Sequence, residues 1–267
     1  MTDMEGTAGI LDYEHWCTAT SPHYRDGQAL LTREVNAAVE GLFAGGASYV
    51  LVADSHGEGG IDPTLLDPRA ELQRRRQHSS SPLSSFDAII WIGQHPKAGT
   101  PYGHLCHTQA WSYMDETING ISIGEFGELA MRTSELGVRA IFASGDEALT
   151  KEAQALVPGI ETVATKRGLR GGKGAELDEE EYSKYYLAAE HRDPVKVREE
   201  IRAGAQRAME RARRESFGII PLHPPFTRVV KLRRGPDRPQ PTAMTVTHPT
   251  SVIGVMRERG EYKPVTP

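Results

Sequence analysis

Two short apolar runs constrain the fold of this chain more than any other feature. Residues 48–53 contain Tyr49-Val50-Leu51-Val52, and residues 86–92 contain Ala88-Ile89-Ile90-Trp91-Ile92. Runs this brief, with no polar alternation, read as strands covered on both faces, the signature of a mainly parallel sheet between helices. Helical spacing surrounds them. Over 29–44 the residues Leu31, Val35, Ala38, Val39, Leu42 and Phe43 recur on one face, and Gly45-Gly46 closes the segment. Asn119-Gly120, between Thr117-Ile118 and Ile121-Ser122-Ile123, marks a hairpin. A helix is expected over 125–136 and a strand over 138–143; Asp146 then caps a helix that Pro158-Gly159 ends. Asp193-Pro194 is an N-cap and N1 pair opening a helix through Val197, Ile201, Ala205, Ala208 and Ala212. Residues 226–232 read as a strand, 57–85 as a loop with at most a short helix, and the tail from Gly235 as proline-rich and weakly patterned. The predicted fold class is α/β: a three-layer αβα core with a mainly parallel or mixed sheet, plus a smaller C-terminal α/β part. The core is assigned to 1–165. The C-terminal part, 166–267, holds a basic glycine-rich stretch, an acidic stretch with three tyrosines and the proline-rich tail.

Composition narrows the function classes. Of the 267 residues, 38% are hydrophobic, and 31 Lys and Arg against 36 Asp and Glu give a formal charge of −5. Nucleic acid is not an expected partner, because phosphate binding needs a concentrated basic face. No membrane partner is expected either, since no apolar run approaches the ~18 residues of a span. The acidic start, Met1-Thr2-Asp3-Met4-Glu5, lacks a signal-peptide apolar region. Cys17 and Cys106 are too few for a disulfide framework. A cytoplasmic, reducing location follows, with chemistry resting on His, Asp and Glu.

Metal-ligating residue types stand just after the expected strands. Asp3 and Glu5 lie at the N-terminus, His56 follows the first apolar run, His95 follows the second, and Glu125 follows the hairpin. In parallel sheets ligands gather beyond the carboxyl ends of strands. Two imidazoles and three carboxylates suit Zn²⁺ or a similar borderline ion, and a shared carboxylate would let them hold two ions. Each residue alone has an ordinary explanation: a strand-end histidine satisfied by hydrogen bonds, a solvated terminal Asp-x-Glu, a glutamate complementing a helix N-terminus.

These segments together resemble the zinc-dependent D-aminopeptidases of the DppA type, peptidase family M55. The matching pieces are Asp3-Met4-Glu5-Gly6 with Ala8-Gly9, Thr32-Arg33-Glu34-Val35-Asn36, Asp54-Ser55-His56, Gly93-Gln94-His95, Thr100-Pro101, Cys106-His107-Thr108, and Ile118-Asn119-Gly120 running to Gly124-Glu125. The resemblance spans about residues 3–165. It implies two zinc ions per subunit, with Asp3 bridging and Glu5, His56, His95 and Glu125 completing their coordination. It implies hydrolysis of the N-terminal amide of short, D-residue peptides, and a ring-shaped homo-oligomer, a decamer, with sites facing an enclosed channel. His107 matches the family's catalytic histidine if Tyr102 is a one-residue insertion; otherwise His104 takes that place. On physical grounds a general base or proton shuttle suits this histidine better than a nucleophile, because imidazole titrates in the right range.

The chain also departs from that family. Only Met1-Thr2 precede Asp3, where the family has an apolar strand. Either the true start lies upstream, or that strand is absent and Asp3 is poorly anchored; a free N-terminus so close would place a charged amine beside the metals, and weaker metal binding is expected for the chain as written. Residues 57–85 differ, 169–192 look longer, and the end beyond Leu232 lacks a long closing helix. The basic glycine-rich stretch could meet a substrate carboxylate or be a solvated loop. Three other readings stand beside the peptidase. A metallophosphoesterase shares Asp54-Ser55-His56 but needs motifs absent here. Serine catalysis is suggested only by Gly120-Ile121-Ser122-Ile123-Gly124, which falls inside a hairpin arm rather than at a strand-to-helix turn. The last is a relative that binds peptide or metal without turnover.

Overall fold

A computed structural model describes residues 1–74 and 82–265. Part of the loop expected over 57–85 therefore lies outside the described residues. The first apolar run forms β1 (Leu51–Asp54), and the second forms β3 (Ala88–Gln94), extending two residues past its apolar part to reach Gln94. Between them β2 (Glu71–Arg74) pairs in parallel with β1, a charged edge strand that carries no apolar signal. The sheet continues in parallel from β3 to β6 (Arg139–Asp146) and β7 (Glu161–Gly168), and ends with the antiparallel β8 (Ala189–His191).

What joins β1 to β3 is the N-terminus itself. Thr2 makes parallel bridges to Asp54 on one side and Ile92 on the other. Asp3 N–H donates to Ile92 O at 2.9 Å, Ile92 N–H donates to Met1 O at 3.0 Å, and Ser55 Oγ donates to Thr2 O at 2.8 Å. The Met1 ammonium donates to Ile90 O at 3.0 Å. The expectation of a poorly anchored Asp3 is therefore overturned. Three residues fill the sheet slot, because backbone hydrogen bonds on both sides need no apolar side chains to hold them.

Helices cover both faces. On one lie α2 (Tyr24–Ala44) and α6 (Pro194–Ala212), which pack on each other and on the sheet through Leu31, Val35, Val39, Val197, Ile201 and Phe142. The opposite face is covered by α3 (Glu125–Glu135) and α4 (Glu147–Leu156), with Trp91, Phe126, Leu129 and Leu149 at the centre. This is the predicted αβα core. Truncating a fully buried Leu such as Leu31 to Ala costs roughly 2–5 kcal/mol in such surroundings. Asp146 caps α4 through Ala148 N–H, and Asp193 caps α6 with Pro194 at N1, both as their local chemistry dictates.

A second, antiparallel sheet is built from both expected parts. β4 (Tyr113–Ile118) and β5 (Ile121–Ile123) form the hairpin, turned by Asn119 and Gly120, both with positive φ. β9 (Phe226–Leu232) pairs with β4, and β10 (Thr242–His248) and β11 (Lys263–Pro264) extend the sheet outward. A short helix, α7 (Val252–Arg257), follows β10. β7 crosses the boundary expected at residue 165, so the C-terminal residues share both sheets with the N-terminal ones.

Candidate metal centre

The sheet topology brings three chain segments to one edge: the turn after Asp3, the turn after β1 and the turn after β3. Two glycines permit the approach. A Cβ on Gly6 would meet Gln94 O at 2.0 Å, and one on Gly93, whose φ is +75°, would meet Asp3 O at 2.1 Å. Gly6 N–H donates to Gly93 O at 2.7 Å, which locks the two turns together. Lys166 Nζ, fully enclosed, donates to Glu5 O at 2.7 Å and Ile10 O at 2.9 Å and fixes the same turn from below. Glu34 Oε1 accepts Ala8 N–H at 2.8 Å. Thr32 Oγ1 accepts Asp62 N–H, and Asn36 bonds Leu65 and Asp67. The Thr32-to-Asn36 segment thus positions the loops that carry the site. Asp54 accepts Gly60 and Ile61 N–H and shapes the loop behind His56.

All six candidate residues come together. His56 Nε2 lies 3.4 Å from Glu5 Oε1, and His95 Nε2 lies 3.3 Å from Asp3 Oδ2 and 3.7 Å from Glu125 Oε1. His107 stacks on His95 with ring centroids 3.8 Å apart, and its Nε2 is 4.0 Å from Glu125 Oε1. Among the described residues two groups have donor atoms close enough to share an ion: Glu5, Cys17 and His56, and His95, His107 and Glu125. The Asp3 carboxylate reaches both, toward His95 and toward Glu5.

Local chemistry orients these donors. His95 Nδ1 donates to Pro96 O at 3.0 Å and His107 Nδ1 to Leu105 O at 2.9 Å, so in each ring Nε2 is the nitrogen left to face the carboxylates. Gln94 Nε2 donates to Asp3 Oδ2 at 2.7 Å, Met4 N–H to Asp3 Oδ1 at 2.9 Å, and Gln109 N–H to Glu125 Oε1 at 2.7 Å. The loop bearing His107 is strained: Tyr102, Leu105 and Gln109 all have positive φ. Sequence reasoning missed Cys17, Gln94, Gln109 and Trp111, whose ring lies 4.6 Å from that of His107. Gln94 alone carried a signal, its place between Gly93 and His95.

The cluster is electrostatically unbalanced. Burial, and then the neighbouring Glu5, push the Asp3 carboxyl well above its usual range. Burial opposes ionisation of Glu5, yet His56 beside it holds that carboxyl well below the usual range. Burial would lower His95, but Asp3 and Glu125 raise it to about 10; burial and the His95 charge lower His107 to about 4. Glu5 Oε2 is buried with no hydrogen-bond partner. Three carboxylates gathered with two imidazoles, one buried carboxylate oxygen orphaned, form a donor set that fits divalent cations of the zinc type.

His104 stands apart. Its Nε2 bonds Leu11 O at 3.0 Å and its Nδ1 faces Lys166 Nζ at 3.5 Å, so His107 is the histidine beside the cluster. In the basic stretch Lys166 is enclosed and Arg167 pairs with Glu190 at 2.7 Å. Tyr182, on the short helix α5 (Glu179–Ser183), and Tyr186 are buried, with Arg233 over the Tyr182 ring. Ser122 Oγ donates to Asp115 at 2.6 Å from within β5. A cleft of about 850 Å³ lies nearby, walled by Lys97, Thr100, Tyr102, Ser122, Glu152 and Leu169 among others, and none of the six candidate residues lines it.

The peptidase M55 D-aminopeptidase family model matches residues 1–237. This chain belongs to the M55 D-aminopeptidase family. A curated member of the family, the D-aminopeptidase of Bacillus subtilis (strain 168), is 29% identical over 170 residues, 62% of this chain and 61% of that protein. The alignment thus spans less than two thirds of the relative's length. A solved structure, that of the Zn-dependent D-aminopeptidase DppA from Bacillus subtilis, a self-compartmentalizing protease, shares the fold. The TM-score is 0.72 at 22% identity, covering 87% of this chain and 80% of that one. No helix among the described residues is long and apolar enough to cross a membrane.

Proposed function

We propose that this M55 family member is a zinc-dependent aminopeptidase that hydrolyses the N-terminal amide of short peptides built from D-amino acids. One observation carries the reading: Asp3, Glu5, His56, His95 and Glu125 converge at one sheet edge with His107 stacked beside them. Asp3 would bridge two ions, Glu5 and His56 would hold one, and His95 and Glu125 the other. When bound, the ions supply Lewis acidity for the scissile carbonyl and lower the pKa of the attacking water.

The chain's own residues do the rest. His107, its Nδ1 proton committed to Leu105 O, accepts a proton at Nε2 from the water and returns it to the departing amine. Gln109 holds the Glu125 carboxylate through its backbone N–H. Trp111, edge-on to Tyr13, packs against His107 with ring centroids 4.6 Å apart. A ring-shaped homo-oligomer, a decamer with enclosed sites, belongs to the same reading; the description of the structural relative as self-compartmentalizing supports assembly into a homo-oligomer and carries no subunit number. A cytoplasmic location agrees with two unpaired, buried cysteines.

The test is removal of metal by chelation, then add-back of zinc, assayed on D-alanyl and L-alanyl p-nitroanilides. Zinc-restored turnover of the D-substrate is expected, with the mass of the particle measured by light scattering. A protein that binds zinc yet turns over neither substrate would make it a binding relative; turnover of phosphoesters would make it a different hydrolase.

A further inference from the structure

Cys17 follows a one-turn helix, α1 (Tyr13–Trp16), whose Tyr13 carbonyl accepts its N–H at 2.9 Å. That turn carries the side chain inward, where it is 2% exposed. Its Sγ lies within 4.8 Å of donor atoms of both Glu5 and His56. Its S–H donates to Asp12 O at 3.7 Å. Two polar atoms of its neighbours are buried without partners, Glu5 Oε2 and His56 Nδ1, on residues only 2% and 8% exposed. A small apolar filler would leave that carboxylate oxygen unanswered; a thiolate sharing a cation with it would not.

The geometry points to Cys17 as a further protein ligand of the ion held by Glu5 and His56, which makes the two halves of the centre chemically unequal. The inference rests on the proposed metal reading and adds a sulfur donor to it. As the S–metal bond forms, the S–H proton leaves to solvent, and no oxidation is involved. With Asp3 shared, the first ion then has four protein donors, Asp3, Glu5, His56 and Cys17, the count of a closed zinc site. The second has three, Asp3, His95 and Glu125, the count of a site that keeps an open position. The soft sulfur also selects zinc or cobalt over magnesium or manganese in the first position.

Cobalt(II) separates the possibilities, because thiolate ligation adds a sulfur-to-metal charge-transfer band in the near ultraviolet to the visible d–d bands that any protein-bound cobalt shows. The metal-free full-length protein is titrated with cobalt(II). Both sets of bands are expected, and in Cys17→Ser the charge-transfer band disappears while the visible bands remain. Zinc affinity at the tighter site should fall by at least the roughly 10–100-fold that loss of an outer partner costs. Visible bands without charge transfer in the unaltered protein overturn the sulfur ligand and leave the metal reading standing. A charge-transfer band that survives Cys17→Ser assigns it to Cys106 and also overturns the inference. No cobalt bands at any loading overturn the metal reading and this one together. Where Cys17→Ser does not fold, Cys106→Ser is titrated in its place, and loss of the charge-transfer band in that variant overturns the inference.

Discussion

The two halves of the centre are built to different standards of enclosure. On the side of Glu5 and His56, the side chains are 3% and 6% exposed, and Glu34, Lys166 and the backbone of β3 hold their turn from several directions. On the other side the His95 and His107 side chains are also enclosed, 2% and 10% exposed, but that of Glu125 is 30% exposed, and its partner Gln109 is an exposed residue with positive φ. The first half holds charge in a rigid, buried frame. The second leaves a carboxylate beside an imidazole partly open to solvent. The difference teaches that donor groups in one pocket can differ in burial and support, and under the proposed reading this would give two ions unequal duties.

Asp3 belongs to both halves, so removing it should erase the comparison. Asp3→Ala is expected to lower the bound metal below one ion per chain and to reduce kcat/KM by more than the roughly 10–100-fold cost of an outer partner. Metal content after dialysis and turnover of a D-alanyl anilide measure both. Retention of two ions would end the bridging role. His107→Ala, by contrast, should touch only the open half. A loss of about 10²–10⁴-fold in kcat, or about 3–5 kcal/mol of barrier, is expected with the metal content unchanged. Loss of one ion in that variant would make His107 a ligand instead of a base.

How much of this could be read from the sequence follows the same divide between local and distant causes. β1, β3, the Asn119-Gly120 hairpin and the caps at Asp146 and Asp193 declare themselves, because a few neighbouring residues determine each. His56, His95 and Glu125 stood out by their positions after β1, β3 and the hairpin, Asp3 and Glu5 by their spacing at the N-terminus, and His107 only through the family resemblance. β2 was not: Glu71–Arg74 is a charged edge held by pairing with β1. β10 was hidden as well, its alternation of Thr242, Met244 and Val246 masked by the prolines before it. The N-terminal slot in the sheet is made by partners more than fifty residues away. Cys17 gave no periodic signal, and its approach to Glu5 depends on a single helical turn.

Gly93 tests the shared frame at smaller scale. A Cβ there meets Asp3 O, and an alanine would have to hold φ of +75°. Gly93→Ala should destabilise the chain by about 2–4 kcal/mol, combining backbone strain with a backbone clash, and displace Asp3 enough to weaken metal binding. Urea unfolding with and without zinc checks this. A variant with unaltered midpoint would mean that the turns at Gly6 and Gly93 are less tightly joined than their hydrogen bond indicates.

The mildest probe acts on the support of the closed half alone. Burial raises Glu34 to about 7, against the 4.5 of an exposed glutamate, and its Oε2 has no hydrogen-bond partner. A carboxyl whose folded value lies above its unfolded value keeps its proton better in the native chain. Its effect on stability is therefore complete at acid pH and is lost as pH rises from about 4.5 through about 7. Glu34→Gln keeps the oxygen that accepts Ala8 N–H and removes the ionisation. The variant should gain on the order of 2 kcal/mol relative to the parent between pH 5 and pH 8, seen as diverging urea midpoints. Because Glu34 supports the turn without touching the open half, the pH profile of kcat should stay where it was. Parallel midpoints would remove Glu34 as the source of that stability slope. A shifted kcat profile would mean that the closed half is not merely a frame, and that the division between the two halves is less complete than their enclosure implies.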